Sequence, residues 1–320
     1  MAHPNNDNWV SVLVGQQAEL PVCSSLDEIP LARAGLDMSY LNKDLAPVAE
    51  VHENVVLRSR EGFDLTAEIY VPEGTGPFPV VLYSHGGGWC LSSPVGVRRP
   101  TRKIANQGYV VVNLDYGLAP EHPFPWGLED VIYAARWVKT HIAGYHGDPN
   151  TIVISGDSAG ANLSAATVVA LKMGTGDLDN GDLGGVDVSF AGVLLFFGVF
   201  DFPQTLLRPG SNTGGVEMMW HLAYLGPEFA TRNQHPFVSP ALAPDEVLRS
   251  FPPTYLTVGS EDSLLPQSLE MTDKLGWLNV PVRLSVNPGW DHTFSYADHL
   301  IPGVPEEFDR IFQWLKGVLA

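Results

Sequence analysis

Short apolar runs alternate with amphipathic helical patterns over most of this 320-residue chain. From residue 80 onward the runs are almost continuously apolar, which is typical of parallel strands covered on both faces. Segments 128–138 and 308–319 instead repeat their apolar residues along one helical face. The alternation predicts an α/β fold whose mostly parallel, eight-stranded sheet is flanked by helices. The predicted strands lie at 54–57, 65–71, 80–84, 109–114, 151–155, 192–197, 254–258 and 282–286.

Two segments break this alternation. Residues 1–50 are polar and weakly periodic, and residues 201–250 combine Pro, Gly, Met and aromatic residues without a strand signal. The second segment is too long for a plain loop in a compact domain. We interpret both as cap segments over the carboxyl edge of the sheet, where open α/β folds bind ligands, with a peripheral helical decoration as the alternative. Residues 51–200 and 251–320 then form one α/β domain.

Composition excludes several classes of protein. The formal net charge of −18 disfavours nucleic acid and anionic lipid as partners. No run approaches the roughly 20 apolar residues that a membrane helix needs, and the N-terminal segment has no secretory signal pattern. Cys23 and Cys90 favour two thiols in a reducing compartment, with a single disulfide bridge as the alternative. We expect a cytoplasmic protein with no membrane span and no nucleic-acid partner.

Gly156-Asp157-Ser158-Ala159-Gly160 joins a predicted strand to a predicted helix. A Gly-x-Ser-x-Gly turn in that position is typical of a nucleophile elbow, where a strained turn lifts the serine hydroxyl out of the sheet. The two glycines let the strand and the helix approach closely. The bare pattern also occurs by chance, so an ordinary tight turn is the alternative. The strand–turn–helix context favours Ser158 as a nucleophile.

A second glycine motif, His85-Gly86-Gly87-Gly88-Trp89, directly follows the predicted strand 80–84. Consecutive glycines let backbone N–H groups face a ligand without a side chain in the way. Such N–H groups stabilise the oxyanion that forms in acyl transfer. A flexible turn or a phosphate loop are alternatives, but a phosphate loop would continue with Lys-Ser/Thr rather than Trp89-Cys90. The two motifs together predict a hydrolase.

A serine nucleophile needs a base, and His292 stands where this architecture places one. It follows the predicted strand 282–286 and precedes the last helical pattern, with His299 as the nearest rival. The acid that orients the imidazole should follow the strand before it, where Glu261 and Asp262 are adjacent. Asp262 is favoured, although either carboxylate could perform this task.

From about residue 80 to its C-terminus the chain resembles the bacterial hormone-sensitive lipase family of esterases. The resemblance implies an α/β-hydrolase fold with a helical cap. It also implies hydrolysis of short- to medium-chain or aryl carboxylic esters through an acyl-enzyme, with no metal or organic cofactor. The small-molecule ester would be the partner, and the same analogy implies a homodimer. The motifs that carry the resemblance are the two glycine motifs, Ala161-Asn162-Leu163, the run 115–125 and Gly289-x-x-His292-x-Phe294.

The family resemblance also assigns individual roles. It implies that the N–H groups of Gly87, Gly88 and Ala159 form the oxyanion hole, while Gly86 shapes the turn. Asp262 begins an Asp-Ser-Leu segment that matches the Asp-Pro-Leu segment of the family, which selects it as the acid.

Two departures from the family pattern bear on the site. Gly117 stands where the family usually has arginine, which removes a common buried ion-pair partner. Asp291 adds a carboxylate directly before the base. If Asp291 lies near the imidazole, it should favour the charged form of His292 and raise its pKa.

Large apolar residues near these motifs indicate an apolar or aromatic substrate pocket, with core packing as an equal alternative. Two other functions remain open. The same triad could cleave an amide, carbamate or lactone, and the same fold could serve a non-catalytic small-molecule receptor. Retention of His292 argues against a receptor, because the plant hormone receptors that resemble this family lack that histidine. The candidate pocket residues are Trp89, Met218, Trp220 and Trp290.

Overall fold

One sheet of eight strands runs through the structure, a computed structural model that describes residues 25–60, 62–206 and 216–319. All eight predicted strands are present, although β1 and β5 extend beyond their predicted bounds. The strands are β1 (Glu50–Arg60), β2 (Phe63–Val71), β3 (Phe78–Ser84), β4 (Val110–Asp115), β5 (Gly147–Asp157), β6 (Gly192–Phe196), β7 (Thr254–Gly259) and β8 (Val282–Asn287).

The strand order is β1-β2-β4-β3-β5-β6-β7-β8. The pairs β1–β2 and β2–β4 are antiparallel, and the other five pairs are parallel. The mostly parallel sheet that the sequence predicts is therefore confirmed. Because parallel strands end at the same edge, the loops after β3, β5, β7 and β8 emerge on one side of the sheet.

Ten α-helices lie within the described residues. Several begin with proline in the first turn, as α9 does with Pro266 and α10 with Pro305. Proline is tolerated there because its missing N–H would have no intrahelical acceptor. None of these helices is long and apolar enough to cross a membrane. They are α1 (Ile29–Ala34), α2 (Arg98–Asn106), α3 (Trp126–His141), α4 (Ala159–Met173), α5 (Phe202–Leu206), α6 (Val216–Leu225), α7 (Phe229–Arg232), α8 (Asp245–Leu248), α9 (Leu265–Trp277) and α10 (Val304–Val318).

Both faces of the central strands of the sheet are buried. Along β3, Val80 and Leu82 belong to one apolar cluster, whereas Val81 and Tyr83 belong to the other. Successive strand side chains point to opposite faces, so the two clusters are the two layers of core that enclose the sheet. Helices α3, α4 and α9 pack in the first layer, and α2 and α10 pack in the second.

The described parts of the segments predicted to form a cap contain five of the α-helices, namely α1, α5, α6, α7 and α8. Arg33 of α1 donates from Nε to the carbonyl oxygen of Cys90 at 2.6 Å. Tyr224 of α6 stacks on Trp89, with ring centroids 4.6 Å apart. Both contacts hold these helices against the loop after β3. The domain boundaries stay a prediction, because residues 1–24, which include Cys23, and residues 207–215 lie outside the described residues.

Candidate active site

Ser158 lies on the turn between β5 and α4. Its backbone has φ 51° and ψ −117°, a conformation that side-chain-bearing residues rarely adopt. A Cβ at Gly156 would lie 2.5 Å from the carbonyl carbon of Gly160, and a Cβ at Gly160 would clash with the carbonyl oxygen of Ser84. Only glycine fits at both positions, so the local sequence folds into the predicted elbow.

Three side chains from separate loops meet at this elbow. His292 Nε2 lies 3.0 Å from Ser158 Oγ, and His292 Nδ1 lies 2.8 Å from Asp262 Oδ2. Both are hydrogen-bond distances. The structure therefore brings together the three residues singled out from the sequence, on the loops after β5, β7 and β8.

The two rival residues lie outside this chain of hydrogen bonds. The exposed Glu261 accepts a hydrogen bond from Ser260 Oγ at 3.0 Å. His299 is 40% exposed and lies beside Asp298, with 3.8 Å between Nδ1 and Oδ1.

The environment of Asp262 fixes its orientation. Its side chain is fully buried, and Oδ1 accepts the backbone N–H of Leu264 at 2.7 Å. A buried carboxylate needs such partners. Oδ2 then accepts from Nδ1–H of His292, which leaves Nε2 able to accept the hydroxyl proton of Ser158. The imidazole remains 27% exposed, so a ligand can approach it.

The pKa of His292 is set by opposing effects. Burial disfavours the charged imidazole and is the largest single effect. The charge and hydrogen bond of Asp262, together with the charges of Asp157 and Asp291, outweigh burial and raise the pKa of His292 above its usual value. Asp291 Oδ1 also accepts the backbone N–H of His292 at 2.7 Å. Asp291 therefore lies where its charge can favour the imidazolium form of His292.

Asp157, directly before the nucleophile, is a wholly buried carboxylate. It accepts hydrogen bonds from the hydroxyl of Tyr83 at 2.9 Å and from the hydroxyl of Tyr296. A Cβ at Gly86 would clash with its Oδ2, so the glycine loop passes directly over it. Burial raises the pKa of Asp157 to about 6. This network ties the elbow to β3, to the glycine loop and to the segment after the base.

Phe197 contacts the base, and the sequence patterns do not reveal this contact. Its ring meets the imidazole of His292 edge-on, with centroids 4.7 Å apart and an interplanar angle of 63°. Its backbone has φ 37°, and its N–H donates to the carbonyl oxygen of Thr257 at 2.8 Å. In the sequence, the one feature that could have pointed to this contact is the position of Phe197 directly after β6. The ring supports the imidazole in the orientation that reaches Ser158.

The glycine loop after β3 passes beside the nucleophile, since a Cβ at Gly86 would lie 3.1 Å from Ser158 Cβ. Gly87 and Gly88 have φ of 112° and 61°, values that favour glycine. Within the described residues, neither donates a backbone hydrogen bond to another backbone group. The N–H of Ala159 opens α4 and has no intrahelical acceptor. Three backbone donors are thus available around Ser158.

Trp220 of α6 borders the glycine loop. A Cβ at Gly88 would lie 2.6 Å from Trp220 Cδ2, so the indole covers this part of the loop. The side chain of Met218 lies outside the described residues. A substrate contact for either residue stays a prediction.

The other two candidate pocket residues make packing contacts. Trp89 is 2% exposed and stacks on Tyr224. Trp290 packs on Phe294, with ring centroids 4.9 Å apart. Their contribution to a substrate pocket also stays a prediction.

Gly117, which stands where the family usually has arginine, lies beside the buried carboxylate of Asp130. The Gly117 N–H donates to Asp130 Oδ2 at 2.9 Å, and a Cβ at Gly117 would lie 2.5 Å from Trp126 Cδ1. Arg60 of β1 lies 3.4 Å from Asp130 Oδ1 and 4.4 Å from the centroid of the Trp126 ring. Burial raises the pKa of Asp130 to about 7, against the opposing effect of Arg60. Arg60 is thus a cation beside the buried Asp130, and its Nη1 also lies 3.1 Å from Glu129 Oε2.

The residues that the structure describes contain no cluster of three or more His, Cys, Asp or Glu side chains that could hold a metal ion.

A family model described as the alpha/beta hydrolase fold matches residues 81–296. The chain belongs to this α/β-hydrolase family, which confirms the predicted fold class and the family resemblance.

Individual relatives cover most of the chain. Carboxylesterase NlhH of Mycobacterium tuberculosis is 29% identical over 334 residues, covering 100% of this chain and 98% of the relative. The 2-hydroxyisoflavanone dehydratase of Glycyrrhiza echinata is 29% identical and covers 72% of this chain and 75% of that protein. The solved Pyrobaculum calidifontis esterase has a TM-score of 0.79 and 24% identity, with both chains fully covered. These relatives are named for different reactions, ester hydrolysis and dehydration. The reaction of this chain is therefore inferred from the geometry of its site.

Proposed function

We propose that this protein is a serine carboxylesterase that cleaves carboxylic esters through an acyl-enzyme on Ser158. The observation that carries the proposal is the continuous hydrogen-bond chain from Ser158 Oγ through His292 to Asp262, with links of 3.0 and 2.8 Å. The curated carboxylesterase that aligns over the whole chain supports the same reaction.

In the acylation step, Ser158 Oγ attacks the ester carbonyl carbon while His292 Nε2 removes its proton. Asp262 keeps the imidazole in the required tautomer and stabilises the imidazolium that forms. His292 then protonates the departing alcohol as the tetrahedral intermediate collapses. In the second half, His292 activates a water molecule, which hydrolyses the acyl-enzyme and releases the acid.

The oxyanion of each tetrahedral intermediate binds backbone N–H groups beside the elbow. Such donors cost no reorganisation during the reaction, because the backbone already holds them in place, and each contributes about 2.7–4 kcal/mol to transition-state stabilisation. Gly86 shapes the loop against the Asp157 carboxylate. The proposed donors are the N–H groups of Gly87, Gly88 and Ala159.

The test compares an ester with the corresponding amide. Wild-type protein should hydrolyse p-nitrophenyl butyrate, and Ser158→Ala should lose essentially all of this turnover while keeping its circular dichroism spectrum. The exposed Ser189 supplies a control, since Ser189→Ala should hydrolyse the ester at the wild-type rate. Faster cleavage of butyryl p-nitroanilide than of the ester would favour an amidase. Wild-type turnover in Ser158→Ala would reject the proposed nucleophile.

The partner in this proposal is a small-molecule ester. We also propose that segments 1–50 and 201–250 form a cap, which is supported by the contacts of Arg33 and Trp220 with the glycine loop region. A homodimer and a cytoplasmic location stay predictions from the sequence. Light scattering after size-exclusion chromatography tests the dimer.

A further inference from the structure

Tyr296 lies four residues after the base, in the short 3-10 helix Phe294–Ala297. Its hydroxyl donates to Oδ2 of Asp157, the residue directly before the nucleophile. Both side chains are buried. Hydrogen bonds to an ionised carboxylate are among the stronger ones in proteins. This bond therefore joins the loop of the base to the loop of the nucleophile through two side chains that take no part in the proton transfer.

The residues just before the base have a different attachment. The Glu261 N–H donates to the carbonyl oxygen of Trp290 at 2.9 Å. The Gly289 N–H donates to Ser260 Oγ at 2.8 Å. Both bonds lead to the loop after β7, which carries the acid. The base is thus attached to the loop of the acid on its N-terminal side and to the loop of the nucleophile on its C-terminal side.

The backbone between the base and Tyr296 is strained. Thr293 has φ 64° and ψ 16°, which is the left-handed conformation. A β-branched residue is rarely found there, because its Cβ comes too close to the backbone. Such a conformation persists only where surrounding contacts hold it. Contacts on the C-terminal side of Thr293, where Tyr296 lies, are therefore expected to keep His292 in place.

Asp157 stays ionised at mildly alkaline pH although it is buried. Burial raises its pKa to about 6. Hydrogen bonds from Tyr296 and Tyr83 oppose a further rise, as do the charge of His292 and a backbone hydrogen bond from Gly86. At about pH 8 the carboxylate therefore carries its charge and accepts the hydroxyl protons of both tyrosines.

We propose that the hydrogen bond between Asp157 and Tyr296 positions His292 for the second half of the reaction, so that both are positioning residues. During acylation, Ser158 Oγ itself holds His292 Nε2 at 3.0 Å. In the acyl-enzyme, Oγ is bonded to the acyl group and has no proton to donate, so this direct contact is lost. The bond from Tyr296 to Asp157 then keeps the imidazole beside the nucleophile while it activates water. The proposal rests on the proposed ester hydrolysis and goes beyond it.

Tyr296→Phe keeps the ring and removes only the hydroxyl that donates to Asp157. In an acyl-enzyme mechanism, slower release of the acyl group lowers kcat and KM together, whereas kcat/KM reports only the steps up to acylation. With p-nitrophenyl butyrate at about pH 8, we expect kcat to fall about tenfold and kcat/KM to change less than about twofold, as for the loss of one hydrogen bond to a charged group. A burst of about one p-nitrophenol per active chain should precede the slow steady state.

Two further variants separate positioning from the loss of a buried hydrogen bond. Tyr83→Phe removes the other phenol that donates to Asp157, at 2.9 Å, but Tyr83 lies in β3, which pairs with strands on both sides. It should lower kcat far less than Tyr296→Phe does. Tyr255→Phe removes a phenol of β7 that donates to the buried carboxylate of Glu307 in α10 at 3.1 Å. It should leave both kinetic constants at their wild-type values.

The variants are compared at a temperature at which circular dichroism shows all of them to be folded. An unchanged kcat in Tyr296→Phe, or an equal loss in Tyr83→Phe, would overturn the positioning role. A fall in kcat/KM as large as the fall in kcat would overturn it as well, since the defect would then precede the acyl-enzyme. Failure of the proposed function gives a different result, because the wild type would then show no turnover that depends on Ser158.

Discussion

His292 and Asp262 are joined at 2.8 Å between Nδ1 and Oδ2, and the second oxygen of the same carboxylate is occupied by the Leu264 N–H. Both oxygens of Asp262 therefore have defined partners, and neither can rotate away without losing a hydrogen bond. The imidazole is consequently held with Nε2 toward Ser158. The orientation of His292 therefore depends on an ionised carboxylate at position 262, which accepts hydrogen bonds and cannot donate them.

Asp262→Asn should abolish this orientation while leaving the fold intact. The amide can donate to Nδ1 and thereby favour the wrong imidazole tautomer, so kcat should fall by about four orders of magnitude with little change in KM. Steady-state kinetics with p-nitrophenyl butyrate measure both constants. The adjacent, exposed Glu261 provides the control, since Glu261→Gln should behave as the wild type. A loss in Glu261→Gln equal to that in Asp262→Asn would contradict the assignment of the acid.

The acid limb of the pH profile should report the raised pKa of His292. The base acts in its neutral form, so kcat/KM should rise with pH through that pKa, which lies above the usual histidine value of about 6.5. Asp291→Asn removes a charge that favours the imidazolium and keeps an oxygen that can accept the His292 N–H. The inflection should move to lower pH. A profile that stays in place or moves to higher pH would show that Asp291 does not act on the imidazole.

Gly160→Ala should destabilise the protein strongly. The new Cβ would clash with the carbonyl oxygen of Ser84, and backbone on both sides leaves little room to relax. We expect a loss of about 3 kcal/mol in the free energy of unfolding, measured by urea denaturation. Gly144→Ala is the matched control because a Cβ there meets nothing within 4 Å. Equal stability of the two variants would contradict the tight elbow.

Arg60→Met should destabilise the protein more as the pH rises. Asp130 is fully buried and its pKa is raised to about 7, so it is mostly protonated at low pH and needs a cation only at higher pH. Without Arg60 that pKa should rise further, and stability should be lost as pH increases through it. We expect a cost of about 1–3 kcal/mol at about pH 8.5 and a smaller one at about pH 5.

Urea denaturation at the two pH values measures this difference, and the exposed Arg283 supplies the control variant Arg283→Met. The double variant Arg60→Met/Asp130→Asn should remove the pH-dependent part of the loss, whereas the part that comes from the Arg60–Glu129 ion pair should remain. A cost that does not depend on pH would contradict the role of Arg60 as the partner of Asp130.

The strands and the three central site residues could be predicted because their signals are local. Buried parallel strands appear in the sequence as apolar runs. Ser158, Asp262 and His292 lie in the loops that follow β5, β7 and β8, respectively. In a parallel sheet the carboxyl ends of the strands lie at one edge. Residues that follow different strands can therefore be expected to lie close together. The choice between Glu261 and Asp262 needed more than this, since both follow β7.

Other contacts could not be predicted because they depend on how distant elements pack. Nothing in the sequence near Asp130 indicates that Arg60, on the antiparallel β1, lies 3.4 Å from its carboxylate. The edge-on contact of Phe197 with the imidazole likewise depends on the backbone conformation at the end of β6. Such pairings follow from sheet register and helix packing, which local patterns do not encode.

Covalent labelling tests the identity of the nucleophile most directly. An activated phosphonate ester should react once per chain, and mass spectrometry of the digested protein should locate the adduct on Ser158. Ser158→Ala should take up no label, and His292→Ala should be labelled far more slowly than the wild type because no base removes the hydroxyl proton. An adduct on a different serine, or labelling of Ser158→Ala at the wild-type rate, would contradict Ser158 as the nucleophile.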